Sequence, residues 1–175
     1  LGADGLSARI ACLPFTLDGT AEVYPDSVVV DARAGLVDCR VETVLRDYAD
    51  RFVPVASSFT TDAFLTADVS ADGVYAAGRL PSVSACLRIP ASSTCYLPEN
   101  ISLKHSIDID ADLSSEGRLE ADIHELSLSV PGLDVEFGGK GEDLLGKNPL
   151  YRVSADAVAD VERLLELLPF RDSLN

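Results

Sequence analysis

At 175 residues the chain has room for one domain or one section of a longer array, and it can bury a real core. Its 29 acidic and 14 basic residues leave a formal net charge of -15, a field that repels nucleic acid and anionic membrane surfaces and excludes both as electrostatically driven partners. The hydrophobic share is 47% but only 6% of residues are aromatic and Trp is absent, so the apolar content is mostly Val, Leu, Ile and Ala, which suit pleated sheet surfaces.

No apolar run approaches the roughly 20 residues of a membrane span. The chain opens at Leu1 without a charged, apolar leader, and the expectation is one piece, 1–175, of a larger repeat-built protein.

The first element signal is repetition. Residues 21–28 (AEVYPDSV) recur at 67–74 (ADVSADGV) and at 111–117 (ADLSSEG), and 3–6 (ADGL) matches the turn of a fourth copy. The shared pattern is an alternating segment, a Pro/Asp/Ser/Gly turn and a second alternating segment, which is the signature of a β-hairpin. Turns are predicted near Asp26, Asp72 and Glu116, with repeats at about 18–61, 62–100 and 101–142, then a strand and helix over about 143–175.

Along the chain, Val41, Val44, Leu45, Tyr48 and Phe52 keep helical spacing and Pro54 stops them, which predicts a helix near 42–52. Val83, Ala85, Leu87 and Ile89 then alternate with Ser82, Ser84, Cys86 and Arg88. Ile101, Leu103, Ile107, Ile109 and Ala111 alternate with Ser102, Lys104, Ser106, Asp108 and Asp110; Leu133, Val135 and Phe137 alternate with Asp134 and Glu136. Each strand so read has one buried and one wet face. Ala157, Val158, Val161, Leu164, Leu165 and Leu168 return to a helical period after a Ser154 N-cap and before Pro169, which predicts a helix near 155–168. The fold class is therefore mainly β, a curved antiparallel sheet of repeated hairpins whose apolar face is covered by two short amphipathic helices.

Chemistry-bearing motifs are weighed and set aside. Residues 141–148 (GEDLLGKN) approach a phosphate-binding loop, but Asn148 replaces the Mg²⁺-ligating Ser or Thr and Pro149 breaks the helix start. Asp108, Asp110 and Asp112 copy the first ligands of a calcium loop, yet Leu113 and Leu119 stand where Gly and Glu are required, leaving at most a weak surface Ca²⁺ site. His105 occupies an apolar-facing position and reads as a structural histidine, while His124 has no identifiable nucleophile beside it. Asn100-Ile101-Ser102 is a glycosylation sequon with a high chance-match rate. Cys12, Cys39, Cys86 and Cys95 form no CxxC pair, so a zinc site is unsupported; disulfides in an oxidising compartment and four buried thiols are both open, and if disulfides form, Cys86 and Cys95 are the best pair, closing a hairpin across a Pro/Ser loop, with Cys12 and Cys39 second. No catalytic constellation, cofactor or metal is expected.

The order of hairpins, strand, Gly-rich acidic turn and amphipathic helix, carried by 131–142 (PGLDVEFGGKGE) and 158–169 (VADVERLLELLP), resembles the AsmA-like family of envelope proteins. That resemblance implies a long curved sheet with an apolar concave face in the periplasm, anchored in the inner membrane through a segment outside this stretch. It implies a non-enzymatic part in outer-membrane biogenesis and lipid transport. Ile101, Leu103, Ile107, Ile109, Val135 and Phe137 are then the lipid-facing residues, and the partners are acyl chains or neighbouring repeats. A passive scaffold and a surface adhesin-like module are the alternatives. A β-propeller, suggested by a period of about 45 residues, lacks the Trp-Asp and Gly-His blade signatures.

Overall fold

The alternation of small apolar and acidic residues becomes strand over most of the chain. In a computed structural model that describes residues 2–10, 13–47, 58–98 and 100–166, the order is β1 (Gly2–Ile10), β2 (Leu13–Tyr24), β3 (Ser27–Arg40), α1 (Val41–Asp47), β4 (Phe59–Thr61), β5 (Phe64–Ala76), β6 (Ser82–Tyr96), β7 (Ile101–Leu113), β8 (Leu119–Val130), β9 (Leu133–Glu142), β10 (Leu150–Ala159) and α2 (Val161–Glu166).

All strands join one open, curved antiparallel sheet in the order β1-β2-β3-β5-β6-β7-β8-β9-β10. β4 shares the lane of β5: Thr61 pairs Thr94 and Thr66 pairs Arg88, both on β6, with buried Ala63 at the break between them. Apart from β4, successive strands are neighbours, so successive hairpins are adjacent, as the repeats require. β2, β5 and β7, which carry the three repeat copies, consequently run in the same direction.

Curvature has a local cause. One strand gains a residue on its neighbour at Asp4-Gly5 in β1, Val37-Asp38 in β3, Pro90-Ala91 in β6 and His124-Glu125 in β8. Each such bulge kinks its strand and raises the local twist. Asp4-Gly5 is thus a bulge inside β1 rather than the turn expected from 3–6.

The β2–β3 hairpin turns at Pro25-Asp26, and β7 joins β8 through Ser114 to Arg118, both as expected. The expected turn at Asp72 is corrected. Asp72 is paired on both sides, to Asp31 and Ser82, and the chain reverses farther on at Ala77-Gly78, where Gly78 has φ +76° and Ala76 and Arg79 exchange both backbone hydrogen bonds. Gly73 passes Pro81 with φ +121° while staying in the ladder, so this Asp-Gly does not turn.

Two helix expectations change as well. α1 occupies Val41–Asp47, and residues 48–52 of the expected helix lie outside the described residues. Residues 155–159 are strand, because an unbroken ten-residue ladder with β9 satisfies their backbone groups. α2 starts later, and its N-cap is Asp160 rather than Ser154: Oδ1 of Asp160 accepts from the backbone N–H groups of Glu162 (3.1 Å) and Arg163 (3.3 Å).

Among the described residues, neither helix is long enough to cover the sheet. Seven helical residues span about 10 Å, roughly two strand spacings. Among the described residues α1 packs chiefly against β3 and β4, while α2 tucks under the Pro131-Gly132 turn, where the Asp160 N–H donates to Gly132 O at 2.8 Å. Among the described residues only Cys39 and Ala63 are buried apolar side chains, and no large side chain is fully buried. The chain exposes 12143 Å², whereas a compact monomer of this mass would expose about 8,200 Å². Among the described residues, the molecule is a single layer with two faces.

Candidate functional site

Cross-strand register assigns every strand residue to a face, because directly opposed residues point the same way. One row runs Ile89, Ile107, Leu126, Phe137 and Ala155 across β6 to β10. The next runs Leu36, Ala67, Leu87, Ile109, Ile123 and Val153, interrupted only by Gly139. Below them Leu128 opposes Val135, and Val130 opposes Leu133. Ile101, Leu103, Ile107, Ile109, Val135 and Phe137 therefore share one face. Sequence reading missed their partners Leu126, Leu128 and Val130, because the His124-Glu125 bulge shifts the alternation of β8 by one residue.

The face is apolar and half-exposed rather than sealed, with most of its side chains neither buried nor fully open. Its extent follows from geometry: the eight lanes β2 to β10 about 4.8 Å apart and some nine residues at about 3.3 Å each give a surface on the order of 1,000 Å². Monomeric soluble proteins rarely leave a contiguous apolar patch beyond a few hundred Å² uncovered.

A small polar island interrupts this face on β4, β6 and β7. His105 Nε2 lies 2.8 Å from Thr94 Oγ1, which donates to Thr61 Oγ1 at 2.9 Å, and Thr61 Oγ1 donates to Ser93 O at 3.0 Å. His105 is therefore a hydrogen-bonded structural histidine, as its apolar-facing position implied.

The opposite face is acidic. Arg33 pairs with Asp68 (3.6 Å), Arg88 with Asp108 (3.1 Å) and Asp110 (3.6 Å), and Lys140 with Glu120 (3.9 Å). Such exposed pairs contribute little to stability and serve mainly to offset carboxylate repulsion. Asp108, Asp110 and Asp112 stand on one strand with Arg88, His124 and Ser84 as partners, and no metal-holding cluster exists among the described residues. Ser106 is buried on this side, hydrogen-bonded to Glu125 and to Ser127 Oγ.

His124 Nε2 lies 2.9 Å from Asp110 Oδ2, and this hydrogen bond, with the charges of Asp122, Asp110 and Asp108, raises its pKa against a smaller opposing effect of desolvation. Because the folded pKa is the higher one, the stabilisation is complete below the unfolded value of about 6.5 and is lost as pH rises through the folded value. An NMR pH titration should place His124 above 6.5, and Asp110→Asn should lower it.

The expected Cys86–Cys95 disulfide is contradicted. Both residues lie on β6, so nine strand steps hold their Cα atoms about 30 Å apart, whereas a disulfide needs about 4.4–6.8 Å. The Pro/Ser segment between them is a bulge, not a hairpin loop. Cys39 is a free, buried thiol whose pKa is pushed up by desolvation, and Cys12 lies outside the described residues. The loop resembling a phosphate-binding motif joins β9 to β10, with a strand rather than a helix after Lys147.

No family model, curated protein or solved structure matches the chain.

Proposed function

We propose that the apolar face is a non-catalytic lipid-handling surface in a cell-envelope protein of the AsmA-like kind, with acyl chains lying across β6 to β9. One observation carries this reading: an apolar face across the eight lanes β2 to β10, apart from its small polar island, has no cover and no closed core beneath it among the described residues. A face on the order of 1,000 Å² left in water forgoes up to about 25 kcal/mol of hydrophobic stabilisation, so a cover is strongly favoured. Acyl chains need no directional partners and fit a smooth surface of Leu, Ile, Val and Ala. The acidic reverse face suits water and holds the sheet away from anionic headgroup surfaces. In this reading the protein works in the periplasm, anchored in the inner membrane through a segment outside this stretch, and contributes to outer-membrane biogenesis by carrying or sheltering phospholipid.

The test is capture of a fluorescent phospholipid, followed by native mass spectrometry of the recovered protein. Bound lipid is expected, and Ile107→Asp should remove it. Lipid-free protein after saturating exposure would favour a scaffold whose face is covered by other protein.

A further inference from the structure

β10 is one edge of the sheet, β1 being the other. Every residue of Leu150–Ala159 is exposed, including Leu150 (62%), Tyr151 (65%), Val153 (62%) and Val158 (71%). Edge strands are ordinarily blunted by lysines, prolines, bulges or brevity. β10 has ten residues, no Lys or Pro, and an unbroken register on β9. After Ala159 the chain turns back beneath Pro131-Gly132, leaving the outer side of β10 clear among the described residues.

Its charges are also mismatched within the chain. Arg152 stands directly opposite Lys140, and Asp156 directly opposite Glu136. Like charges in opposed positions destabilise a ladder, and neither Arg152 nor Asp156 makes an ion pair among the described residues.

We infer that β10 pairs antiparallel with β10 of a second copy of this chain, about a two-fold axis through Ser154. In that register Arg152 of each copy opposes Asp156 of the other, giving two symmetric charge pairs where the monomer has two like-charge contacts. Shifting the register by two residues either way removes both pairs. The same alignment sets Leu150 against Val158 on the acidic face, so the two apolar side chains stranded there cover each other. It sets Tyr151 against Ala157 and Val153 against Ala155 on the apolar face, which then continues unbroken from one copy to the next. The interface is isologous and self-limiting, since one two-fold axis uses up both β10 edges. It stands independently of any lipid.

Sedimentation equilibrium across a concentration series of the full chain tests this directly. The wild type should approach twice 18.6 kDa. Arg152→Asp and Asp156→Arg should each weaken the dimer by about tenfold or more, since each turns two attractions into repulsions. Each variant also replaces a like-charge contact with an opposite one inside the monomer, so its unfolding midpoint should hold or rise, and lost dimer cannot then be ascribed to lost fold. The double variant Arg152→Asp/Asp156→Arg should restore the dimer. Ser154→Cys should form a disulfide between copies under mild oxidation, because directly opposed strand residues meet the required separation. A wild type that stays monomeric at every concentration, or single charge reversals that leave its dimer unchanged, would overturn the inference.

Discussion

Ile107→Asp should lower phospholipid capture by at least about tenfold, because it sets a carboxylate at the centre of the apolar face, where covering it without a partner costs several kcal/mol. Ile107 is opposed by Ile89 and Leu126, with Phe137 one lane farther, so no basic group on that row can neutralise the new charge. The sheet itself should lose about 1–3 kcal/mol, the usual cost of a polar group in a half-buried apolar position. Far-UV circular dichroism should still report strand. Asp108→Asn, one residue away on the acidic face beside Arg88, is the matched control. It should leave capture unchanged, and a loss equal to that of Ile107→Asp would point to general destabilisation.

Gly19→Ala should destabilise the fold by about 2–4 kcal/mol, combining the strain of a backbone region closed to L side chains with overpacking that cannot relax. Gly19 has φ +145°, and a Cβ there would lie 2.3 Å from Asp31 O and 2.4 Å from the Ala32 Cα, both backbone atoms of the neighbouring strand. The methyl group can be admitted only by prising β2 from β3. Gly78→Ala isolates the conformational part alone: φ is +76°, but nothing lies within 4 Å of the added atom. Its cost should be nearer 1 kcal/mol. Urea unfolding of both variants, read as midpoint shifts at constant slope, measures the difference.

Where period-two alternation runs unbroken, sequence reading finds both strand and face. β7 and the first half of β6 were legible because no residue is inserted among Val83 to Ile89 or Ile101 to Leu113, and all six expected lipid-facing residues therefore share a side. Bulges hide the rest. Pro90-Ala91 looks like a loop, and the chain continues through it as one strand, which separates Cys86 from Cys95. His124-Glu125 shifts the alternation of β8 and conceals Leu126, Leu128 and Val130. For residues 155–159 the side chains fit either period, and the decision belongs to β9, whose paired residues lie 18 to 26 positions back in the chain and leave no trace in the local pattern. That the described residues leave the apolar face uncovered was illegible, since spacing shows that a segment is amphipathic but not how far its helix extends over a sheet. The charge mismatch on β10 likewise emerges only once register places Lys140 and Glu136 beside it.

If acyl chains lie on one face of this sheet, adjacent residues of β7, which point to opposite faces, separate the two. A photo-reactive phenylalanine analogue placed at position 107, and separately at 108, with irradiation in the presence of phospholipid, compares the faces at nearly the same depth along the strand. Lipid adducts are expected at 107 and none above background at 108. Equal labelling at both positions, or labelling at neither while the protein remains folded, would contradict that placement of the lipid.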